Sequence, residues 1–204
     1  MTTVLPAFAV ASTLLILAPG PGSPLVLRNT LRHGRRAGWV TASGTRSGLL
    51  AWAVAAAFGL SALLRVSHVA YDALRLAGAC YLLWLGVSSL RPFRGRPPAP
   101  APGKAGGRRV YLNGLLSNLL NPKIGVFFIA FLPGFIPAGA PAPLFPLALG
   151  LWFIAETGAW LATLAWMTAR GAGWLRRSTV QRWLERITGV ALIGFGLRLA
   201  TLAR

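Results

Sequence analysis

Residues 118–123 read Asn118-Leu119-Leu120-Asn121-Pro122-Lys123 and lie inside an apolar run, Tyr111–Ile136. Proline inside a helix removes a backbone donor and clashes with the preceding turn. Asparagine followed by proline is also a restart signal, an N-cap residue with proline at the first helical position. The stretch therefore reads as a helix that stops and begins again within one membrane-length segment. A second interruption, Pro19-Gly20-Pro21-Gly22-Ser23-Pro24, sits in the run Val4–Leu27, with Ser23 before Pro24 as its restart. Each restart presents a helix N-terminus carrying about half a positive charge. A single break reads equally well as a structural kink. Two breaks at corresponding places favour a functional pair.

Around these two runs lie four more: Trp39–Leu64, Val69–Leu90, Leu144–Ala169 and Ile187–Ala203. All six are long enough for a hydrocarbon core of ~30 Å, which takes about 20 helical residues. They are continuously apolar rather than alternating, which favours helices over a closed barrel. The 204 residues are 55% hydrophobic and only 12% charged, with mean hydropathy +0.61. A soluble domain carries roughly a quarter charged residues. The first run is not expected to be a cleavable signal peptide, because Met1-Thr2-Thr3 has no positive charge and the run is too long. The expected fold is an all-α integral membrane protein of six transmembrane helices, the first and fourth broken at Pro and Gly.

Only three residues are acidic, Asp72, Glu156 and Glu185, against 21 Lys and Arg, giving a net charge of +18. Fifteen of the 21 fall in the first, third and fifth connectors, at residues 28–36, 91–109 and 170–186. The second connector holds Arg65 alone, and the fourth, Pro137 to Pro143, holds none. The positive-inside rule then places the odd connectors in the cytoplasm and both termini outside. The charge reads as a topology signal and an attraction to anionic lipid headgroups. It is not a nucleic-acid surface, since no aromatic-interleaved basic motif accompanies it.

The Pro-rich stretch from Arg91 to Arg109 reads as a flexible cytoplasmic linker. It divides one membrane domain, 1–204, into three-helix halves at 1–90 and 111–204, with 91–110 between them. An odd number of spans per half inverts the second half relative to the first, the arrangement of inverted-repeat transporters. Arg75-Leu76-Ala77-Gly78 and Arg186-Ile187-Thr188-Gly189 open the third and sixth spans in similar ways. Asn121 lies ten residues into its run, ~15 Å at the helical rise and close to the midplane. Pro19 lies fifteen residues into its run, ~22 Å from the outer face and somewhat toward the cytoplasm.

Arg46, Arg75 and Arg198 lie near span ends and can snorkel to the headgroups. Lys123 and Glu156 lie about twelve residues from the nearest span boundary, ~18 Å along the helix. A charge at helix centre costs about 2.5–3.5 kcal/mol on insertion scales. Both are therefore expected to face the bundle interior, as an ion pair or as the lining of a wet cavity. Glu156 is the one carboxyl group at that depth and the candidate to carry a proton. Trp52, Trp152, Trp160 and Trp166 are candidates to line a cavity, although tryptophan in spans more often packs or anchors. Gly44 and Gly48 are expected to permit close helix contact. One cysteine, Cys80, and two distant histidines, His33 and His68, leave no metal centre, and no cofactor motif is present.

The chain resembles the LysE/RhtB-type amino-acid exporters of the lysine exporter superfamily. The resemblance covers essentially the whole length. It rests on Ala18-Pro19-Gly20-Pro21 and Asn118 to Lys123, supported by His33 to Gly38, Ala77 to Leu82, Phe131-Leu132-Pro133, Arg186 to Gly189 and Gly194-Phe195-Gly196. Membership implies a six-helix secondary exporter of the bacterial inner membrane, expelling amino acids or close derivatives against proton entry. The expected substrate and ion pathway comprises Pro19, Gly20, Pro21, Gly22, Ser23, Asn118, Asn121, Pro122, Lys123 and Glu156. Arg46 stands where such proteins carry a small or neutral residue, and Asp72 where no acid is expected. Arg46 near the inner mouth disfavours a cationic amino acid, which favours a neutral substrate. The partners are then a zwitterionic amino acid, protons and membrane lipids, and a homo-oligomer is compatible. The alternatives are a metal-ion or other cation exporter on the same fold, or a passive channel. An enzyme is not expected, since neither Gly-x-Ser-x-Gly nor His-Glu-x-x-His occurs.

Overall fold

The computed structural model describes residues 4–17, 20, 22–66, 68–90, 106–137 and 139–170, with 183, 186, 187, 189, 190, 192–194, 196 and 197. Pro19, Pro21, Glu185, Arg198, residues 91–105 of the linker and most of the fifth connector lie outside these. The described residues are helical apart from short turns and breaks, with no strand among them. The first run is two helices, α1 (Val4–Leu17) and α2 (Gly22–His33), bent by 51°. Then come α3 (Arg35–Val66) and α4 (His68–Leu90). The fourth run is again divided, into α5 (Gly107–Leu119) and a helical segment Pro122–Phe135 bent by 51° from it. That segment starts as α6 (Pro122–Val126), widens to a π turn at Phe127–Phe131 and tightens to a 3₁₀ turn at Leu132–Phe135. The fifth run is α7 (Leu144–Ala169).

By length and composition, α7 is sufficient to cross a membrane by itself. The two bent pairs also qualify when each is taken as one span. The longer α3 is diluted by polar and small residues through Thr41 to Gly48, including Arg46. Two boundaries differ from the sequence expectation. The helices extend beyond the apolar runs into the first connector, with α2 and α3 meeting at Gly34. Gly34 has φ +81°, a backbone conformation that costs glycine little. Its carbonyl accepts two N–H groups from the first turn of α3, those of Ala37 at 3.1 Å and Gly38 at 3.4 Å. Ser23 is also not the residue before a helix. The helix begins at Gly22, which Pro24 tolerates because the first N–H groups of a helix have no internal partner.

Helix α3 is the centre of the bundle, packed against α5, α7 and α2. Its contact with α5 runs through glycine. A Cβ at Gly44 would lie 2.1 Å from the Tyr111 carbonyl oxygen, and one at Gly114 would lie 2.3 Å from that of Thr41. The absence of both side chains lets the backbones touch, as small residues do in membrane helices. A Cβ at Gly48 would meet Asn118 at 3.0 Å, so the same seam seats that side chain.

Six phenylalanines join α1, α7 and the irregular half of the fourth run. Phe127 stacks on Phe153 at 4.3 Å, and Phe8 meets Phe135 edge-on at 5.3 Å. Phe128 and Phe131 complete the cluster. The π turn is thus held by aromatic packing where its backbone is least regular. Gly86 of α4 and Gly189 approach so closely that a Cβ on either would meet the other's carbonyl oxygen within 2.9 Å.

Candidate functional site

The second break follows the local signals read from the sequence. Asn121 has extended backbone, φ −83° and ψ 105°, and its Oδ1 accepts the Lys123 N–H at 3.1 Å. Pro122 takes the first helical position, where its missing donor costs nothing. Lys123 follows on the first turn and is turned inward, 8% exposed. Its ammonium donates to the carbonyl oxygen of Leu15 at 2.9 Å. That carbonyl lies in the last turn of α1, where helix carbonyls have no internal partner. A cation also suits the negative end of the helix dipole.

Residues of both breaks line one partly open cavity. Gly20, Gly22 and Ser23 come from the first, and Asn118, Asn121 and Lys123 from the second. Thr45 and Leu49 contribute from α3, Ser117 from α5, Ile124 from α6, and Phe153, Thr157, Trp160 and Leu161 from α7. Leu15 and Ile16 close the α1 side. About 50 Å³ is open to the centres of water molecules. At roughly 10–15 Å³ per water this admits a few waters or a small polar head group. Pro122 is exposed and lies outside the lining.

Glu156 stands apart from the other candidates. It is half-buried on α7 and is not among the residues lining the cavity. Its Oε2 accepts the hydroxyl of Ser12 at 2.5 Å, and its Oε1 accepts the hydroxyl of Thr13. The ion pair with Lys123 considered from the sequence is not formed. Hydroxyls of α1 take both carboxylate oxygens, and the ammonium goes to a backbone carbonyl of the same helix instead. Position along the chain gives depth; which neighbour a side chain meets depends on the helix facing it. Ser12 is fully buried, so this clasp is part of the packed interior on one side.

Of the four tryptophans, only Trp160 lines the cavity. Its indole N–H donates to Ser23 Oγ at 3.3 Å, tying α7 to the start of α2. Trp152 and Trp166 are exposed, and Trp52 covers Gly125, where a Cβ would lie 3.0 Å from its ring. Arg46 is exposed and lies over Gly158, 3.1 Å from a Cβ there. Thr45, Ser117 and Thr157 escaped the sequence reading. Hydroxyl residues are common in membrane helices, and only the adjacency of Thr157 to Glu156 could have pointed to one of them.

Interrupted helices converging on a polar cavity with a buried cation are the build of a membrane transporter. The chain belongs to the LysE type translocator family, whose family model matches residues 13–203. It is 30% identical to an uncharacterized membrane protein of Bacillus subtilis, over 94% of this chain and 96% of that one. It is 29% identical to a homoserine/homoserine lactone efflux protein of Salmonella typhi, covering 96% and 95% of the two chains. A leucine efflux protein of Klebsiella pneumoniae is likewise 29% identical, covering 96% and 93%. No solved structure matches the chain significantly.

Proposed function

We propose that the protein exports amino acids or close derivatives with neutral side chains from the bacterial cytoplasm across the inner membrane, in exchange for protons. The observation that carries this reading is the shared cavity: described residues from both breaks line it, together with buried Lys123. The helix restart at Pro122, capped by Asn121, and the Lys123 ammonium supply positive potential for a substrate carboxylate. Gly20, Gly22 and Ser23 form the facing wall, while Pro122 keeps the second helix broken; Pro19 and Pro21, expected on the same pathway, lie outside the described residues. Glu156, outside the cavity, exchanges the proton.

The chain crosses the membrane six times as two inverted halves, with the odd connectors in the cytoplasm and both termini outside. The matching 51° bends of the two pairs support this arrangement. Rocking of one half against the other exposes the cavity to each side in turn. A neutral substrate agrees with relatives named for homoserine and leucine efflux.

The test uses purified protein in liposomes loaded with labelled leucine or homoserine, with and without an imposed pH gradient. Gradient-accelerated, saturable transport is expected, and Glu156→Gln should lose the acceleration while still inserting. Acceleration equal to wild type in that variant removes Glu156 from the mechanism. A non-saturable flux would instead identify a channel.

A further inference from the structure

Two buried polar atoms of the cavity's own residues lack a hydrogen-bond partner. They are Oδ1 of Asn118, on α5 just before the second break, and Oγ1 of Thr157, on α7. A third such atom, Nε1 of Trp52, belongs to a residue outside the lining. Asn118 is only 6% exposed and is seated against Gly48, so its amide is enclosed by packing. Unsatisfied buried polar groups are rare in native proteins, and each calls for an explanation. Here both are oxygens of residues that line the same space, that of Asn118 lying toward Gly48 at its edge.

Building on the exporter reading above, we infer that Asn118 and Thr157 form the receptor for the substrate's ammonium group, and that Glu156 takes no part in it. An ammonium has three donors and no acceptor. An amide oxygen and a hydroxyl oxygen match it, and pairing with them satisfies atoms that otherwise stay unpaired. Lys123, with the Asn121-capped restart, takes the carboxylate.

This division sets the substrate class as an α-amino acid with an uncharged side chain. Neutral acceptors hold one ammonium but offer no carboxylate to compensate a second cation. The side chains of Leu15, Ile16, Leu49 and Phe153 give the cavity an apolar face and no further charge. The space available suits the head group.

Glu156 and Thr157 are adjacent, so their side chains leave α7 about 100° apart. One faces the cavity and the other faces Ser12 and Thr13 of α1. Proton and amine therefore act on the same helix from different sides and do not compete for one carboxylate.

The experiment measures counterflow of labelled L-leucine by purified protein in liposomes without a pH gradient. Thr157→Val keeps the shape and removes the hydroxyl. It is expected to raise KM about ten-fold or more, as loss of a hydrogen bond to a charged group does. Thr157→Ser should restore it. Asn118→Asp places a carboxylate at the same pole and should make leucinamide, which has an ammonium and no carboxylate, a stronger competitor by about ten-fold. Glu156→Gln should lower the rate driven by a pH gradient without the rise in KM seen in Thr157→Val. Equal KM values in the Ser and Val variants would reduce Thr157 to packing and overturn the assignment. A KM rise in Glu156→Gln matching that of Thr157→Val would put the ammonium on Glu156 and overturn it too. Both of those outcomes leave the exporter standing. Failure of inserted wild-type protein to exchange either leucine or homoserine overturns the exporter reading itself.

Discussion

The ammonium of Lys123 and the carbonyl of Leu15 are joined at 2.9 Å, so the first turn of one half-helix caps the last turn of another from the opposite half of the chain. The contact ties the two interruptions together across the cavity they share. If Lys123 holds the substrate carboxylate as proposed, binding is coupled to the end of α1 through the same ammonium. Lys123→Met, similar in length and uncharged, should abolish transport. It should also destabilise the detergent-solubilised protein by about 1.5–3 kcal/mol, the range for a hydrogen bond to a charged group. A thermal melt alongside a transport assay checks both, and an unchanged melt would show that the cap holds nothing.

Asn121 acts on the backbone rather than through charge. Asn121→Ala removes the acceptor for the Lys123 N–H and should cost about 0.5–2 kcal/mol, whereas Asn121→Ser or Asn121→Asp should retain most of the stability. Because Lys123 is positioned by this turn, the Ala variant should also lose transport, and the Ser variant should recover it. Loss in all three alike would place the role of Asn121 elsewhere.

The α3–α5 seam makes a prediction with an internal control. Gly44→Ala puts a Cβ within 2.1 Å of a backbone oxygen, which no rotamer change relieves, while nothing lies within 4 Å of a Cβ at Gly59 on the same helix. Overpacking of this kind costs about 1–3 kcal/mol or more. The monodisperse fraction after extraction should fall for Gly44→Ala and stay at the wild-type level for Gly59→Ala.

Membrane orientation is open to a labelling test. In a Cys80→Ala background, a membrane-impermeant maleimide applied to intact spheroplasts should label Gly139→Cys and spare Gly34→Cys. The pattern should reverse in everted vesicles. Both positions are exposed turns with φ near +80°, so a readout of labelling should be paired with a check of expression. Reversed labelling would overturn the orientation inferred from the charge distribution.

The helix interruptions were legible because their signals are local. Asn121 before Pro122 caps a helix whatever surrounds it, and the structure has that cap. The limits of α7 coincide with those of its apolar run, because burial in hydrocarbon decides them. The arginines between Leu27 and Trp39 end the apolar runs but not the helices: arginine is a good helix former, and α2 and α3 extend through them to Gly34.

What the linear chain determined alone was where helices break, how deep each charge sits and which connectors carry the positive excess. Those depend on composition and spacing along one segment. Tertiary structure decided that Lys123 meets a backbone carbonyl, that Glu156 meets Ser12 and Thr13, and that Thr157 shares a cavity with Asn118. These depend on how helices cross, and crossings here are set by glycines on α3 and α5 whose missing side chains admit a neighbouring backbone. Periodicity within one helix carries no record of which rotation of its neighbour that contact selects.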